Sequence, residues 1–119
     1  YSSDNDDACF IEDGDVTIIK NRYSAFAHGS STIERVLRSR GIDTVLVGGT
    51  KTNVCCDSTA RDAMMLDFKS VMVSDCCAAS SDDEHLASLE TFIQQFGDVM
   101  TSEEVMDRMI RRNDAAAAE

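Results

Sequence analysis

Three short runs of apolar and β-branched residues recur along this chain, and each is followed by a segment with helical spacing. The runs are continuous rather than alternating, which is typical of strands in a parallel sheet that is covered on both faces. Each run is also too short to make a helix of ordinary length. The sequence therefore predicts buried strands at DVTIIK (15–20), DTVLVGG (43–49) and SVMVSD (70–75).

The segments after these runs carry the signals of amphipathic helices. Segment 30–41 begins with Ser and Thr and ends at Gly41, which are common residues at helix starts and stops. Segments 58–68 and 81–97 follow the same scheme, and residues 98–112 predict a short strand and a last helix. This alternation predicts an α/β fold, a Rossmann-like three-layer arrangement with a parallel sheet flanked by helices and ligands at the carboxyl ends of the strands.

Length, charge and cysteine content narrow the function classes. A chain of 119 residues suits one domain, 1–119, with a disordered alanine-rich tail at 113–119. Eleven basic and 22 acidic residues give a net charge of -11, so neither nucleic acid nor an anionic membrane surface is expected as a partner. The five cysteines match neither a secreted disulfide framework nor a CxxC zinc site, which favours the cytoplasm.

Two adjacent cysteines, Cys55 and Cys56, lie in GGTKTNVCC, where a glycine-rich strand exit meets the start of a helix. The positive end of a helix dipole favours the thiolate form of a thiol in the first turn. Backbone N–H groups from Lys51 to Cys55 can also converge on one point, as an oxyanion hole requires. Cys55 is thus a candidate nucleophile, and a small packing residue at the turn is an equally good interpretation.

The other candidate residues each have a structural interpretation. Lys20 ends a predicted strand at the face where ligands bind, although a surface lysine with a packed aliphatic stem is the commoner case. His28 is interpreted as a loop residue or a pocket wall, and His85 as a solvated or capping residue. The remaining candidates are interpreted as core cysteines (Cys9, Cys56, Cys76, Cys77) and as turn or helix-surface carboxylates (Asp57, Asp62, Asp75).

Several motifs occur in the order found in one known family. KNRYSAF, LRSRGIDTVLVGGTKTNVCCDSTARDA, VMVSDCCAASSDDEHLASL and FGDVMTSEEV resemble the C-terminal part of the isochorismatase-like cysteine hydrolases, from about Asp15 to Arg108. The resemblance implies a Cys/Lys/Asp triad that hydrolyses a C–N bond of a small amide, ureido or carbamoyl compound through a thioester. It implies Cys55 as the nucleophile and Lys20 as the lysine. No cofactor is implied, and a homo-oligomer is expected.

The resemblance also implies finer features of the site. A cis, non-proline peptide bond between Thr50 and Lys51 would direct the N–H groups of Lys51 and Cys55 at the oxyanion. Tyr23 and Phe26 of RYSAF would line the substrate pocket, and packing in the core is an equal alternative for both. A cysteine at the nucleophile position favours an amidase over the ether hydrolases of the family, which tend to carry another residue there.

One departure from the family pattern concerns the aspartate of the triad. In the family it ends the first strand, and none of the aspartates in YSSDNDD (1–7) follows an apolar strand. The resemblance places further strands between those of Lys20 and Cys55, in an N-terminal part that this sequence lacks. The metal site of the nicotinamidase branch would belong to that part, so no metal ligand is predicted. A catalytically incomplete fragment, an interaction subunit and an isochorismatase-type ether hydrolase are the alternatives.

Overall fold

The computed structural model describes residues 11–118, which form a three-stranded parallel sheet with flanking helices. The strand order is β1-β2-β3, with β2 in the middle. The predicted α/β architecture is confirmed. The elements are α1 (Ile33–Ser39), β1 (Thr44–Thr50), α2 (Asp57–Met65), β2 (Lys69–Ala78), α3 (Asp82–Gln95), β3 (Asp98–Met100) and α4 (Ser102–Ala118), and a π-helical turn that we call the cysteine turn (Thr52–Cys56) precedes α2.

The centre of the core is formed by β2, where residues 70–73 are all buried. A central strand is covered on both faces, which explains why its sequence is a continuous apolar run rather than an alternating one. Helices α2 and α3 pack against it through small and aromatic side chains. The largest group of buried residues in mutual contact consists of Val47, Cys56, Ala60, Met72, Leu89 and Phe92.

The register between β1 and β2 shifts between Val47 and Gly49. A Cβ atom on Gly48 would lie 3.1 Å from the Cβ of Cys76, so glycine lets the two strands approach closely here. Gly49 has a φ of +135°, a conformation that favours glycine, and from there the chain leaves the sheet towards the cysteine turn. The two glycines of GGTKTN therefore allow the close approach to β2 and the change of direction with which the chain leaves the sheet.

The predicted helices at 30–41, 58–68 and 81–97 correspond to α1, α2 and α3. Helix α4 begins at Ser102 and continues to Ala118, so the structure differs from the disorder predicted for the tail 113–119. Alanine has the highest helix propensity of the amino acids, and four alanines extend a helix that is already formed. Among residues 11–118, no helix is long and apolar enough to cross a bilayer.

The strand predicted at 15–20 is not formed, and that prediction is wrong. Two of its three apolar side chains are exposed, Val16 by 49% and Ile19 by 87%, and Ile18 is half-buried. A strand needs a neighbour that pairs with its backbone, and within the described part of the chain β1 pairs only with β2. Helix α1 likewise has no buried residue, so the molecule is thinly covered on the side of β1.

Candidate active site

The exit from β1 brings Cys55 to the start of a helix. The peptide bond between Thr50 and Lys51 is cis, and the cysteine turn follows it directly. Because α2 begins at Asp57 without a break, Cys55 lies in the opening turn of one continuous helical segment, as the sequence predicted. The side chain of Cys55 is partly exposed.

The cysteine turn is closed by hydrogen bonds to the residue before it. The carbonyl oxygen of Lys51 accepts from the N–H of Val54 at 3.2 Å and from the N–H of Cys56 at 3.1 Å. These two N–H groups flank Cys55 in the sequence, and their bonds fix the backbone on both sides of it. The position of the Cys55 backbone is therefore set by the geometry around Lys51.

An open cleft of about 310 Å³ lies beside Cys55. Lys20 reaches this cleft from the irregular segment before α1, so the structure brings together the two side chains that the resemblance marked. The remaining wall is formed by small residues and by the glycine-rich strand exit. The lining residues are Lys20, Ala25, Val47, Gly48, Gly49, Thr50, Cys55, Cys56 and Thr59.

Lys20 is held in place by its own loop. Its ammonium group donates to the carbonyl oxygens of Arg22 at 2.9 Å and of Tyr23 at 3.2 Å. The loop is tied to α2, since the N–H of Ala25 donates to Oγ1 of Thr59 at 3.1 Å. The lysine therefore reaches the cleft from a loop anchored to the helix that follows Cys55.

Cys56, which lines the cleft, forms a thiol pair with Cys77. A hydrogen bond to Cys77, together with burial, raises the pKa of the Cys56 thiol far above its ordinary value, and the nearby charge of Lys20 opposes this only in part. The same hydrogen bond lowers the pKa of the Cys77 thiol. Cys56, which is 4% exposed, is thus a protonated core residue at neutral pH, as predicted.

The other cysteines divide between surface and core. Cys77 packs against the core cluster, in agreement with its structural interpretation. Cys76 is exposed, so its prediction as a core residue is wrong. The alternation of a strand sends neighbouring side chains to opposite faces, and only one face of β2 is covered at this end. Cys9 and the aspartates of 1–7 lie outside the described residues.

Two of the three aspartates singled out in the sequence, Asp57 and Asp75, have hydrogen-bond partners. Asp57 is buried, and its Oδ1 accepts from Nε of Arg61 at 2.7 Å. Asp75 accepts from the Ser102 hydroxyl at 2.6 Å and from its N–H at 2.8 Å, and these bonds lower the pKa of Asp75. None of the described residues that line the Cys55 cleft is a carboxylate, so the aspartate of the implied triad is not found there.

Tyr23 and Phe26 are not among the described residues that line the Cys55 cleft, and their place in the wall of a substrate pocket stays a prediction. Tyr23 is 69% exposed and lines a separate cavity that His28 and Asp62 share. The ring of Phe26 packs on Phe68 with centroids 5.5 Å apart, which agrees with the core alternative. Ala25 lines the cleft, and Phe26 lines an adjoining groove that shares three residues with the cleft.

His85 has a role that was not predicted. Its Nδ1 lies 2.7 Å from Oγ1 of Thr52, the first residue of the cysteine turn, and the predicted roles as a solvated or capping residue do not describe this contact. Nothing in the local sequence indicates it. The available signal was topological, because parallel strands bring the helix after β2 and the turn after β1 to the same edge of the sheet.

Comparison with known proteins identifies the family of this chain. The sequence model of the isochorismatase domain matches residues 7–104. The chain belongs to the isochorismatase family. The isochorismatase family protein YwoC of Bacillus subtilis is 34% identical over 99 residues, which is 83% of this chain and 51% of YwoC. The crystal structure of a cysteine hydrolase from Pseudomonas syringae superposes with a TM-score of 0.81 at 35% identity, over 86% of this chain and 52% of that one.

Isochorismatase family members of known activity also match this chain. Maleamate amidohydrolase of Pseudomonas putida is 31% identical over 96 residues, 81% of this chain and 44% of the enzyme. The relatives of this chain therefore include hydrolases, among them an amidohydrolase. The chain spans about half the length of the curated relatives it matches. Within residues 11–118, no group of three or more His, Cys, Asp or Glu side chains is placed to hold a metal ion.

Proposed function

We propose that this chain carries the nucleophile and the lysine of a cysteine hydrolase that cleaves a C–N bond of a small amide, ureido or carbamoyl compound. The observation that supports this most is the cleft in which Lys20 and Cys55 meet at the opening turn of a helix. Cys56 is protonated and buried, which leaves Cys55 as the thiol of this turn that is open to a substrate.

The proposed reaction begins with attack of the Cys55 thiolate on the carbonyl carbon of the substrate. The negative charge that develops on the carbonyl oxygen is stabilised by the backbone N–H groups of Lys51 and Cys55. Collapse of this intermediate breaks the C–N bond, the nitrogen takes a proton and leaves as ammonia or an amine, and the acyl group stays on Cys55 as a thioester. Water then hydrolyses the thioester and restores the thiol.

Proton transfer in this scheme requires a general base. We assign it to an aspartate, by resemblance, and we place this aspartate in a part of the protein that pairs with the open side of β1. Lys20 keeps that carboxylate ionised and orients it towards Cys55. The aspartate takes the thiol proton before the attack and delivers it to the leaving nitrogen.

The cleft also favours a small substrate. Its volume of about 310 Å³ lies at the lower end for small-molecule sites, and its walls are mostly glycine, alanine and threonine. Maleamate, the substrate named for one relative, belongs to the proposed class. We also propose that the protein is cytoplasmic and assembles into a homo-oligomer.

The test is a turnover assay on the protein that contains the complete family domain. Ammonia release is measured from a panel of small amides, ureides and carbamoyl compounds, for the wild type and for the Cys55→Ala and Cys56→Ala variants. We expect turnover that Cys55→Ala abolishes and Cys56→Ala retains. Release that survives Cys55→Ala, or no release from any compound of the panel, would contradict the proposal.

A further inference from the structure

The contact between Thr52 and His85 joins the cysteine turn to α3. The hydroxyl of Thr52 is fully buried, with 0% exposure, and lies 2.7 Å from Nδ1 of the half-buried His85. A buried hydroxyl without a hydrogen-bond partner is unfavourable, so this contact ties the start of the turn to the position of the imidazole. The turn is thus fixed at Lys51 and at His85.

His85 itself is held firmly. Its N–H donates to the carbonyl of Ser81 at 3.1 Å, and the Ser81 hydroxyl caps the helix by accepting from the N–H of Glu84 at 3.2 Å. One and two turns further along α3, Leu89 and Phe92 are buried in the core. The imidazole therefore projects from a capped and anchored helix, which makes it a rigid support for the turn.

We propose that His85 is a positioning residue for the nucleophile Cys55, acting through Thr52. His85 is not among the described residues that line the cleft, so it does not touch the substrate. It holds Thr52, and hence the cysteine turn, in the orientation that presents the Cys55 thiol and N–H to the carbonyl carbon and oxygen. The effect of His85 on catalysis rests on the proposed function. Its effect on the position of the cysteine turn rests on the structure alone.

Substitutions of similar shape distinguish the effect of the hydrogen bond between His85 and Thr52 from the effect of side-chain packing. His85→Asn places an amide near the Nδ1 position, whereas His85→Gln places it near Nε2, and His85→Leu removes the polar group. Thr52→Val removes the buried hydroxyl with little change in shape, and Thr52→Ser keeps it. Val105→Ala, at a buried position of α4, serves as a destabilised control far from the cysteine turn in the sequence.

Hydrogen exchange of the chain provides a readout that does not depend on activity. We expect His85→Leu and Thr52→Val to speed exchange of the Val54 and Cys56 amides about tenfold relative to the amide of Met72 in β2. His85→Asn and Thr52→Ser should restore most of the protection, and His85→Gln should not. Equal acceleration of all amides, as expected for Val105→Ala, or no acceleration in the turn would overturn the proposal.

Turnover of the complete family domain tests the catalytic part. His85→Leu should lower kcat about tenfold with KM nearly unchanged, and His85→Asn should recover most of it, because a misplaced nucleophile weakens the transition state more than binding. Unchanged kcat in His85→Leu would overturn the positioning role. If the wild type shows no Cys55-dependent turnover, the proposed function fails, and hydrogen exchange still decides whether His85 holds the turn.

Discussion

Gly97 lies directly against the backbone of β2, since a Cβ atom at this position would be 2.1 Å from the carbonyl oxygen of Ser70. The obstacle is backbone, which cannot move aside as the tip of a flexible side chain can. Gly97 lies between Phe96, the C-cap of α3, and the first residue of β3. The close approach of these two residues therefore fixes how α3 is joined to the sheet.

We expect Gly97→Ala to destabilise the chain by about 2–3 kcal/mol, because the methyl group forces the turn away from β2. Chemical denaturation monitored by circular dichroism measures the difference. Gly41→Ala is the matched control: Gly41 has a φ of +67° but open space around its missing Cβ. Its cost should be about 1 kcal/mol from conformation alone. An equal or smaller loss for Gly97→Ala would contradict the close contact.

The pairing of Asp75 with Ser102 predicts a pH-dependent contribution to stability. Its hydrogen bonds lower the pKa of Asp75 in the folded state, so the contribution is complete above the unfolded-state pKa of about 3.9 and is lost as the pH falls through the folded-state pKa. Asp75→Asn should lower Tm near pH 6, and the difference from the wild type should shrink towards pH 3.

Thermal unfolding of both proteins between pH 3 and pH 7 measures this difference. Asp98→Asn, at an exposed aspartate in β3, is the control and should leave Tm nearly constant relative to the wild type. A difference for Asp75→Asn that stays the same at every pH would mean that the charge of Asp75 does not support the start of α4.

Lys20→Ala should reduce turnover of the complete family domain far more than it reduces stability. The side chain is exposed and, within residues 11–118, bonds only to carbonyl oxygens of its own loop, so we expect a change in unfolding free energy within about 0.5 kcal/mol. Its loss should lower kcat about a hundredfold, because the general base is no longer held ionised. Lys69→Ala, an exposed lysine at the start of β2, is the control. Equal turnover rates for the two variants would mean that Lys20 is a surface lysine without a catalytic role.

The 119-residue chain alone should release no ammonia from simple amides or ureides above background. The reason is that no carboxylate is among the described residues that line the Cys55 cleft, so no general base is available there. The assay compares the chain with its Cys55→Ala variant at equal concentration. Appreciable turnover that Cys55→Ala abolishes would show that the base comes from within these residues.

The sequence predicted the buried strands well because burial on both faces leaves a distinct pattern. Residues 70–73 are covered on both faces, and their continuous apolar run is what a central strand requires. The run at 15–20 looks the same, but an apolar pattern shows only that a segment is suited to burial and does not supply the neighbour that buries it. Residues 113–118 continue α4, and the high helix propensity of alanine supports this extension without a packing neighbour.

Predictions about the site depended on how far apart its residues are in the sequence. The position of Cys55 in the opening turn of a helix was predictable, because Gly48, Gly49 and the start of α2 are all within ten residues of it. The contact of His85 with Thr52 spans 33 residues and depends on how two helix starts meet at one sheet edge. The positions of Tyr23 and Phe26 relative to the cleft also depend on the fold.

The nucleophile is tested most directly by the order in which the cysteines react with iodoacetamide at neutral pH. The test is strict, because Cys76 is exposed and its neighbour Cys77 has a lowered pKa. We expect Cys55, the proposed nucleophile, to be labelled first, since it is partly exposed in the opening turn of a helix, and the buried Cys56 to be labelled slowly.

Peptide mass spectrometry after substoichiometric alkylation of the native chain identifies the first labelled sulfur, and the Cys55→Ser variant shows which of the remaining thiols reacts in its absence. First labelling at Cys55, with a slower total rate in Cys55→Ser, is the predicted result. First labelling at Cys56, Cys76 or Cys77 would contradict Cys55 as the activated thiol.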